Sequence, residues 1–182
     1  MKSIIKAQFI IKLNTVLVFI LPVFLSAIHL PSNQSTVHKF ESSEFKVSIN
    51  FPNIYKEKID EKITDNNKVQ RTLSVTSKVE NENYLLNVAK HPIALITLDN
   101  LAKASLKAFV KPINGEIKSQ EIYKQNNNEG LEALIYWPER KRYIHYRVIF
   151  VSPIQYQVIV NAKDSLLSSN AIDYLQSFKI LN

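Results

Sequence analysis

Hydrophobic and polar residues alternate along several short stretches of this chain, and a period of two predicts β-strands. The first stretch is FKVSINFP, residues 45–52, in which every second side chain is apolar. This alternation is typical of a strand with one buried face. Pro52 has no backbone N–H to donate, so we expect the strand to end there. The charged segment 56–68 that follows shows only a turn signal, at Asp65-Asn66-Asn67, and no strand is predicted within it.

Four further segments have strand patterns, and they form two pairs. Residues 69–79 and 83–90 are rich in Val, Thr and Leu and predict a hairpin with a tight connection. Residues 116–125 and 131–137 predict a second pair, joined by the loop NNNEG.

Two segments show the spacing of an amphipathic helix. Residues 97–110 begin with Thr97, a good N-cap, and carry Asp99 in the first turn, where the helix dipole favours an anion. The second helix is predicted over residues 165–178, with Asp164 as its cap. Each helix has one apolar face, formed by Leu98, Leu101, Ala102, Ser105 and Phe109 in the first and by Leu167, Ala171, Tyr174, Leu175 and Phe178 in the second.

The segment RYIHYRVIFVSPIQYQVIVNA, residues 142–162, predicts two strands joined at Ser152-Pro153. We expect one core face, made by Ile144, Tyr146, Val148 and Phe150 on the first strand and by Ile154, Tyr156, Val158 and Val160 on the second. The other face is mixed, and we expect it to be at best partly covered. It carries Tyr143, His145, Arg147, Ile149 and Val151, opposite Gln155, Gln157, Ile159 and Asn161.

The order of these elements is strands, a helix, more strands and a second helix, without a strict βαβ repeat. Such an order predicts an α+β fold in which helices pack on a mostly antiparallel sheet. The expected organisation is an N-terminal segment over residues 1–30, a polar linker over residues 31–39 and one folded domain over residues 40–182.

The N-terminal segment has the layout of a secretory signal, with three lysines before an apolar run at residues 15–30. Ser26-Ala27 offers a poor cleavage site. The alternative is an uncleaved anchor over residues 13–30, which is short for a bilayer-spanning helix and would keep the N-terminus in the cytoplasm. Both alternatives predict an exported domain, periplasmic or secreted, or anchored to the membrane by this segment.

Composition removes several kinds of chemistry. The chain has no cysteine, which excludes thiolate catalysis, cysteine-ligated zinc, disulfides and a lipidated N-terminal cysteine. Its two glycines are too few for a glycine-rich phosphate loop. The formal charge of +7 includes Lys2, Lys6 and Lys12. Without them the domain is only mildly basic, which argues against nucleic acid as a partner.

Three motifs resemble the PsbP/Mog1-like family, which includes exported bacterial members. They are the F-x-V-x-I-x-FP strand at residues 45–52, the Leu98-Asp99 pair in the first helix, and the hairpin YRVIFVSPIQYQVIV with a final helix ending in SFKI at residues 177–180. The resemblance covers about residues 40–181 and implies an α/β/α sandwich around a central antiparallel sheet. It also implies a non-enzymatic role, because characterised relatives bind partner proteins, a photosystem II assembly in one branch and the GTPase Ran in another. No family binding motif matches position by position, so no site residue is carried over.

Histidine is the residue type that decides between an enzyme and a binding protein here. The four histidines, at positions 29, 38, 91 and 145, have no metal-ligand spacing, and no metal site is expected. His145 lies in a predicted strand, and Glu132 on the neighbouring strand could orient it. No serine, however, has the sequence context of a nucleophile. We therefore expect no catalytic residue and no cofactor.

The turn WPERKRY combines tryptophan, tyrosine and arginine, the residue types that dominate protein interfaces. The candidate partner-binding residues, from this turn and the adjoining strand, are Trp137, Arg140, Arg142, Tyr143, His145 and Arg147. A stripe of Lys103, Lys107 and Lys111 on the first helix would suit an anionic surface such as lipid, cell-wall polymer or an acidic protein. The alternative interpretation is a core aromatic cluster and a solvated basic helix face.

The sequence thus predicts an exported, non-enzymatic accessory protein that binds a protein partner in the cell envelope. Two alternatives stay open. One is a secreted hydrolase or small-ligand carrier built on the His145 sheet face, and the other is an envelope domain anchored by residues 13–30. Nucleic acid is not an expected partner, and a membrane is expected to be contacted only through the N-terminal segment, if that segment is not removed.

Overall fold

The computed structural model describes residues 36–64, 67–92 and 101–181. The predicted signal or anchor, residues 1–30, lies outside this part of the chain, and so do Thr97 and Asp99 at the predicted start of the first helix. The described residues form two antiparallel sheets and two α-helices.

The smaller sheet has three strands, β1 (His38–Ser42), β2 (Val47–Phe51) and, from the C-terminal end, β10 (Lys179–Ile180). β2 lies in the middle and pairs antiparallel with both neighbours. Its three odd-numbered side chains are fully buried, so the alternation in FKVSINFP does mark a strand with a buried face. β1 begins at His38, within the predicted linker, because His38 and Lys39 already pair with β2.

The larger sheet has seven strands, and every neighbouring pair is antiparallel, as the sequence predicts. In their order across the sheet the strands are β3 (Tyr55–Ile63), β4 (Val69–Val79), β5 (Glu82–Lys90), β9 (Ile154–Ala162), β8 (Arg142–Val151), β7 (Asn128–Trp137) and β6 (Glu116–Gln125).

The second helix is shorter than the sequence pattern predicts, and the predicted start of the first helix, residues 97–100, lies outside the described residues. α1 is described over Leu101–Val110 and continues into a 3₁₀ turn, Lys111–Ile113. α2 covers Ser169–Ser177. Asp164 is not its cap: the Ser168 side chain accepts a hydrogen bond of 3.1 Å from the Ala171 backbone N–H and satisfies one of the free donors at the helix start. No helix within the described ranges is long and apolar enough to cross a membrane.

Both faces of the seven-stranded sheet are covered. On the face that we call the α1 side, Leu106 and Phe109 of α1 pack with sheet residues that include Tyr146 and Ile159. On the opposite face, the small-sheet side, the three-stranded sheet and α2 pack against alternate residues of β4, β5 and β9. The α+β fold with a mostly antiparallel sheet is confirmed. Among the described residues, one outer layer is the helix α1, and the other combines a sheet with a helix.

The prediction for the two faces of the β8–β9 hairpin is wrong. A two-residue loop, Ser152-Pro153 with a cis peptide bond, pairs Val151 directly with Ile154. Directly paired residues share a face, and this register pairs odd-numbered positions with even-numbered ones. The apolar set on β8 therefore points to the α1 side and the apolar set on β9 to the small-sheet side. Both faces of β9 are buried along its whole length, including three polar side chains of the face that we expected to be at best partly covered, Gln155, Gln157 and Asn161.

β3 is a strand that the sequence does not predict. It lies at one edge of the large sheet, and eight of its nine residues are exposed. A strand exposed on both faces has no alternation of apolar and polar residues to reveal it. Charged side chains on such an edge also hinder pairing with other chains.

Candidate functional site

The candidate partner-binding residues surround the β7–β8 turn, but they do not form one patch. A short 3₁₀ helix, Pro138–Arg140, joins the two strands. Trp137 and Arg142 are paired across them and lie on the α1 side. The small-sheet side carries the other three strand residues, Tyr143, His145 and Arg147.

Trp137 belongs to the core beneath α1. Its side chain is 8% exposed and packs in the same cluster as Phe109. Arg140 is exposed on the turn, and its guanidinium carbon lies 5.6 Å from the centroid of the Trp137 ring, a cation–π contact. The Arg140 side chain is therefore accessible to a partner, whereas the buried Trp137 ring packs beneath its guanidinium.

Tyr143 contributes the most accessible aromatic surface of the candidate set. Its ring centroid lies 5.1 Å from that of Tyr136, directly across the β7–β8 pair, and both side chains are half-exposed. The Lys118 ammonium lies 5.4 Å from the Tyr136 ring centroid and 2.6 Å from a Glu116 carboxylate oxygen. The Glu116 hydrogen bond is the main reason that the pKa of Lys118 is raised, so this lysine is a cation at every physiological pH.

Arg142 is held in place by internal contacts. Its Nε donates a hydrogen bond of 2.5 Å to Asn161 Oδ1, and one Nη donates to the Asn161 carbonyl at 2.9 Å and to the Asn81 carbonyl in the β4–β5 turn. Burial lowers the pKa of Arg142, an effect that the nearby Glu82 carboxylate opposes. Its guanidinium thus joins the start of β8 to the end of β9 and to the β4–β5 turn. Most of its N–H donors are occupied by these internal hydrogen bonds.

His145 is half-buried on the small-sheet side of β8. Burial lowers its pKa below the ordinary 6.5, and a hydrogen bond to the backbone of Ser165 and the Glu132 and Glu82 charges act in the opposite direction. Its Nε2 is buried without a hydrogen-bond partner. Within the described ranges no serine hydroxyl or carboxylate is hydrogen-bonded to this ring, which therefore lacks the contacts of a catalytic base.

Arg147 is a structural residue, with a side chain only 11% exposed. Its Nε and Nη2 donate to Glu132 Oε2 at 3.0 and 2.8 Å, and Nη1 donates to the Leu175 carbonyl at 2.6 Å. The guanidinium carbon also lies 4.0 Å from the centroid of the Tyr123 ring. The sequence does not single out Tyr123 or Lys118, because β6 is largely exposed and shows no alternation.

A network of polar side chains lies buried between α1 and the large sheet. The Ser105 hydroxyl of α1 is 2.8 Å from the Tyr146 hydroxyl and accepts hydrogen bonds from the side-chain amides of Gln155 and Gln157 at 2.8 and 3.1 Å. Gln157 in turn accepts from Asn87 at 2.9 Å. Because these groups satisfy one another, the network fixes how the helix sits on the sheet.

A cleft of about 430 Å³ opens at the other end of the strands, away from the β7–β8 turn. Its lining combines apolar, amide and cationic side chains, among them Lys46, Lys90, Asn126, Asn127, Tyr156 and Leu181. His145 does not line it, so the cleft and the candidate residues are separate features. In the described residues no group of three or more His, Asp or Glu side chains is placed to hold a metal ion.

Comparison with known proteins yields likenesses in structure. The solution structure of cyanobacterial PsbP (CyanoP) from Synechocystis sp. PCC 6803 superposes with a TM-score of 0.58 at 12% sequence identity, covering 86% of this chain and 99% of that one. A crystal structure from Bacteroides thetaiotaomicron VPI-5482 superposes with a TM-score of 0.39 at 12% identity, covering 79% of this chain and 48% of that one.

Sequence comparison adds no family. No protein-family model matches the chain, and no curated protein matches it significantly. The likeness to CyanoP runs over nearly all of that chain and over most of this one. The fold of this chain is therefore PsbP-like.

Proposed function

We propose that this chain is an exported, non-enzymatic accessory protein that binds a protein partner in the cell envelope. The contact surface that we assign to this role is the end of the sheet at the β7–β8 turn, with Arg140 on its α1 side and Tyr143, Tyr136 and Lys118 on its small-sheet side. We call it the turn surface.

The observation that carries the proposal is the pairing of exposed cations with aromatic rings on this surface. Two half-exposed tyrosines lie 5.1 Å apart, and a cation lies within 6 Å of a ring on each side of the sheet. Tyrosine and arginine dominate the energetics of protein interfaces, because large rigid rings bury much area at a small cost in side-chain entropy. On a protein of ordinary composition such a cluster favours contact with another protein.

The geometry around His145 gives no support to the hydrolase alternative, since within the described chain its Nε2 has no hydrogen-bond partner and the nearby Glu132 is hydrogen-bonded to Arg147. The carrier alternative is built on His145, whereas the cleft opens at the other end of the strands on the same face and His145 does not line it. The resemblance to the PsbP/Mog1-like family and the PsbP-like fold also favour a binding role.

Export is supported by the sequence of the N-terminal segment, with lysines followed by an apolar run. Determination of the first residue of the mature protein distinguishes the two forms that we considered. A start beyond Ala27 means a cleaved signal, and an intact Met1 in the membrane fraction means an anchor over residues 13–30.

Site-specific photo-crosslinking in the native cell tests the partner. A photoreactive amino acid is placed at position 140 or 143 on the turn surface and, as a control, at position 127, an exposed asparagine at the opposite end of the strands. We expect one protein, identified by mass spectrometry, to be crosslinked from positions 140 and 143 but not from position 127.

Substitution of residues on the turn surface tests how much they contribute to the binding free energy. We expect Arg140→Glu with Tyr143→Ala to weaken binding to the crosslinked protein by roughly tenfold or more, because truncation of interface hot spots costs at least 1–2 kcal/mol. Lys68→Glu, at the far end of the sheet, should leave binding unchanged. Identical crosslinks from all three positions, or a double variant that binds as the unmodified protein does, would exclude the turn surface.

A further inference from the structure

The lysines of β3 lie on one side of the large sheet. Alternation along this strand places Lys56, Lys58 and Lys62 on one face and Glu57 and Glu61 on the other. Lys56 is paired with Thr76, which is in turn paired with Leu85 in the core beneath α1. Because paired residues share a face, the three lysines point to the α1 side.

The same side carries five further lysines. Lys103, Lys107 and Lys111 are exposed on α1 and the turn that follows it. Lys78 is paired with Asn83 and Lys124 with Glu129, and both lysines share the α1 side by the same register argument. The helix stripe noted in the sequence is therefore part of a wider cationic surface, which we call the lysine face.

Few carboxylates oppose these charges. Among the described strand residues on this side, the acidic ones are Asp60 and Glu129, and each lies 2.8 Å from a lysine, Lys58 and Lys124. Five lysines form no ion pair with any described residue: Lys56, Lys78, Lys103, Lys107 and Lys111. The opposite face instead carries most of the strand carboxylates, including Glu57, Glu61, Glu82, Glu116, Glu121 and Glu132.

Exposed aliphatic side chains accompany the lysines. Ile117 and Ile122 of β6 are 43% and 68% exposed, and they are paired with Ile135 and Leu131 of the core beneath α1. They therefore project on the α1 side, beside β7, which α1 covers. A cationic surface with isolated aliphatic side chains is typical of proteins that dock at a lipid headgroup layer.

We infer that the lysine face docks the domain on an anionic lipid bilayer. Lysine is depleted at protein interfaces, where arginine and aromatic residues prevail, whereas each lysine near an anionic membrane contributes on its own. The exposed cations of this face are lysines, apart from Arg140 at its β7–β8 end, and the described aromatic residues of this side are buried. The face thus differs in composition from the turn surface, and it would hold the domain at a membrane in a defined orientation while the tyrosines of the turn surface, on the small-sheet side, stay free.

Lysine footprinting by amine acylation and mass spectrometry tests this inference on the full chain. The probes are vesicles of phosphatidylcholine and vesicles in which part of the phosphatidylcholine is replaced by phosphatidylglycerol. With the anionic vesicles we expect acylation of Lys56, Lys78, Lys103, Lys107 and Lys111 to slow several-fold, and to recover at high salt. Lys39, Lys46 and Lys179, on the small-sheet side, should react at the same rate with both kinds of vesicle. This local readout does not depend on whether the N-terminal segment inserts.

Two matched variants sharpen the test. Each lysine removed should weaken docking roughly fivefold, so Lys103→Gln/Lys107→Gln/Lys111→Gln should also abolish the protection of Lys56 and Lys78. The control Lys39→Gln/Lys46→Gln/Lys179→Gln changes the net charge by the same amount on the small-sheet side. It should leave the protection of Lys56 and Lys78 unchanged. Ile122→Ser should reduce the protection, whereas Ile63→Ser, on the opposite face and 71% exposed, should not.

Three results would overturn the inference. They are equal protection of both lysine sets, protection that is the same with neutral vesicles, and no protection with anionic vesicles. Soluble polyglutamate at matched charge, without vesicles, gives a further control. If it protects the lysine face equally well, and if Ile122→Ser loses none of this protection, the partner of the face is an acidic polymer or protein and not a bilayer.

Discussion

Arg147 on β8 donates a hydrogen bond of 2.6 Å to the carbonyl oxygen of Leu175, in the last turn of α2. The last carbonyls of a helix have no partner within the helix, and a cation there also offsets the helix dipole. The same guanidinium holds Glu132 of β7 and stacks on Tyr123 of β6. One side chain thus joins three strands of the large sheet to the helix that covers them.

Replacement of Arg147 by methionine should lower the free energy of unfolding by about 2 kcal/mol, measured by urea denaturation. Methionine fills a similar volume but leaves the Glu132 carboxylate and the Leu175 carbonyl without their donor. Adding Glu132→Leu should restore part of the loss, because an unpaired, partly buried charge is then removed. If Arg147→Met changes stability by less than about 0.5 kcal/mol, Arg147 is not the structural link described here.

The position of Arg147 also shows where sequence reasoning succeeds and fails. A strand with one buried face, such as β2, shows a clear alternation, and its burial follows from the sequence. Arg147 lies on a strand covered on both sides, where polar residues are buried through hydrogen bonds and resemble exposed ones in sequence. The two-residue loop at Ser152-Pro153 was the available signal, since it fixes the register and hence the faces of β8 and β9.

The candidate site was predictable in its location but not in the roles of its members. Turn composition identified the β7–β8 connection, and Arg140 and Tyr143 are accessible there. Trp137 and Arg142 lie in the same aromatic and basic stretch of sequence. Trp137, however, packs in the core, and Arg142 hydrogen-bonds to the end of a neighbouring strand. Only the pairing partners of a residue across the sheet decide between these roles, and they lie far away in sequence.

The stability of the domain should fall as the pH drops below about 6.5. Burial lowers the pKa of both His145 and His91, and a hydrogen bond with Gln155 partly opposes this at His91. In this range the unfolded chain binds protons that the folded protein does not take up, so acid favours unfolding. Urea midpoints measured for the unmodified protein and for His91→Gln/His145→Gln at pH about 7.5 and about 5.5 check this. The variant should lose less stability on acidification. Equal losses would show that carboxylates alone cause the acid sensitivity.

Alanine should destabilise the protein much more at one of its two glycines than at the other, although neither has a positive φ. A Cβ at Gly130, within β7, would lie 2.2 Å from the Val148 carbonyl oxygen of β8, and backbone at such a distance yields only if the two strands separate. A Cβ at Gly115 would lie 2.8 Å from Cγ2 of Ile135, so there a buried side chain and not a paired strand must shift. We therefore expect Gly130→Ala to cost about 3 kcal/mol, or about 10 °C in Tm, and Gly115→Ala to cost about 1 kcal/mol, since alanine also reduces the entropy of the unfolded chain. Thermal unfolding of both variants measures the difference. Similar Tm values for the two would mean that β7 and β8 do not approach each other as closely at Gly130 as this structure has them.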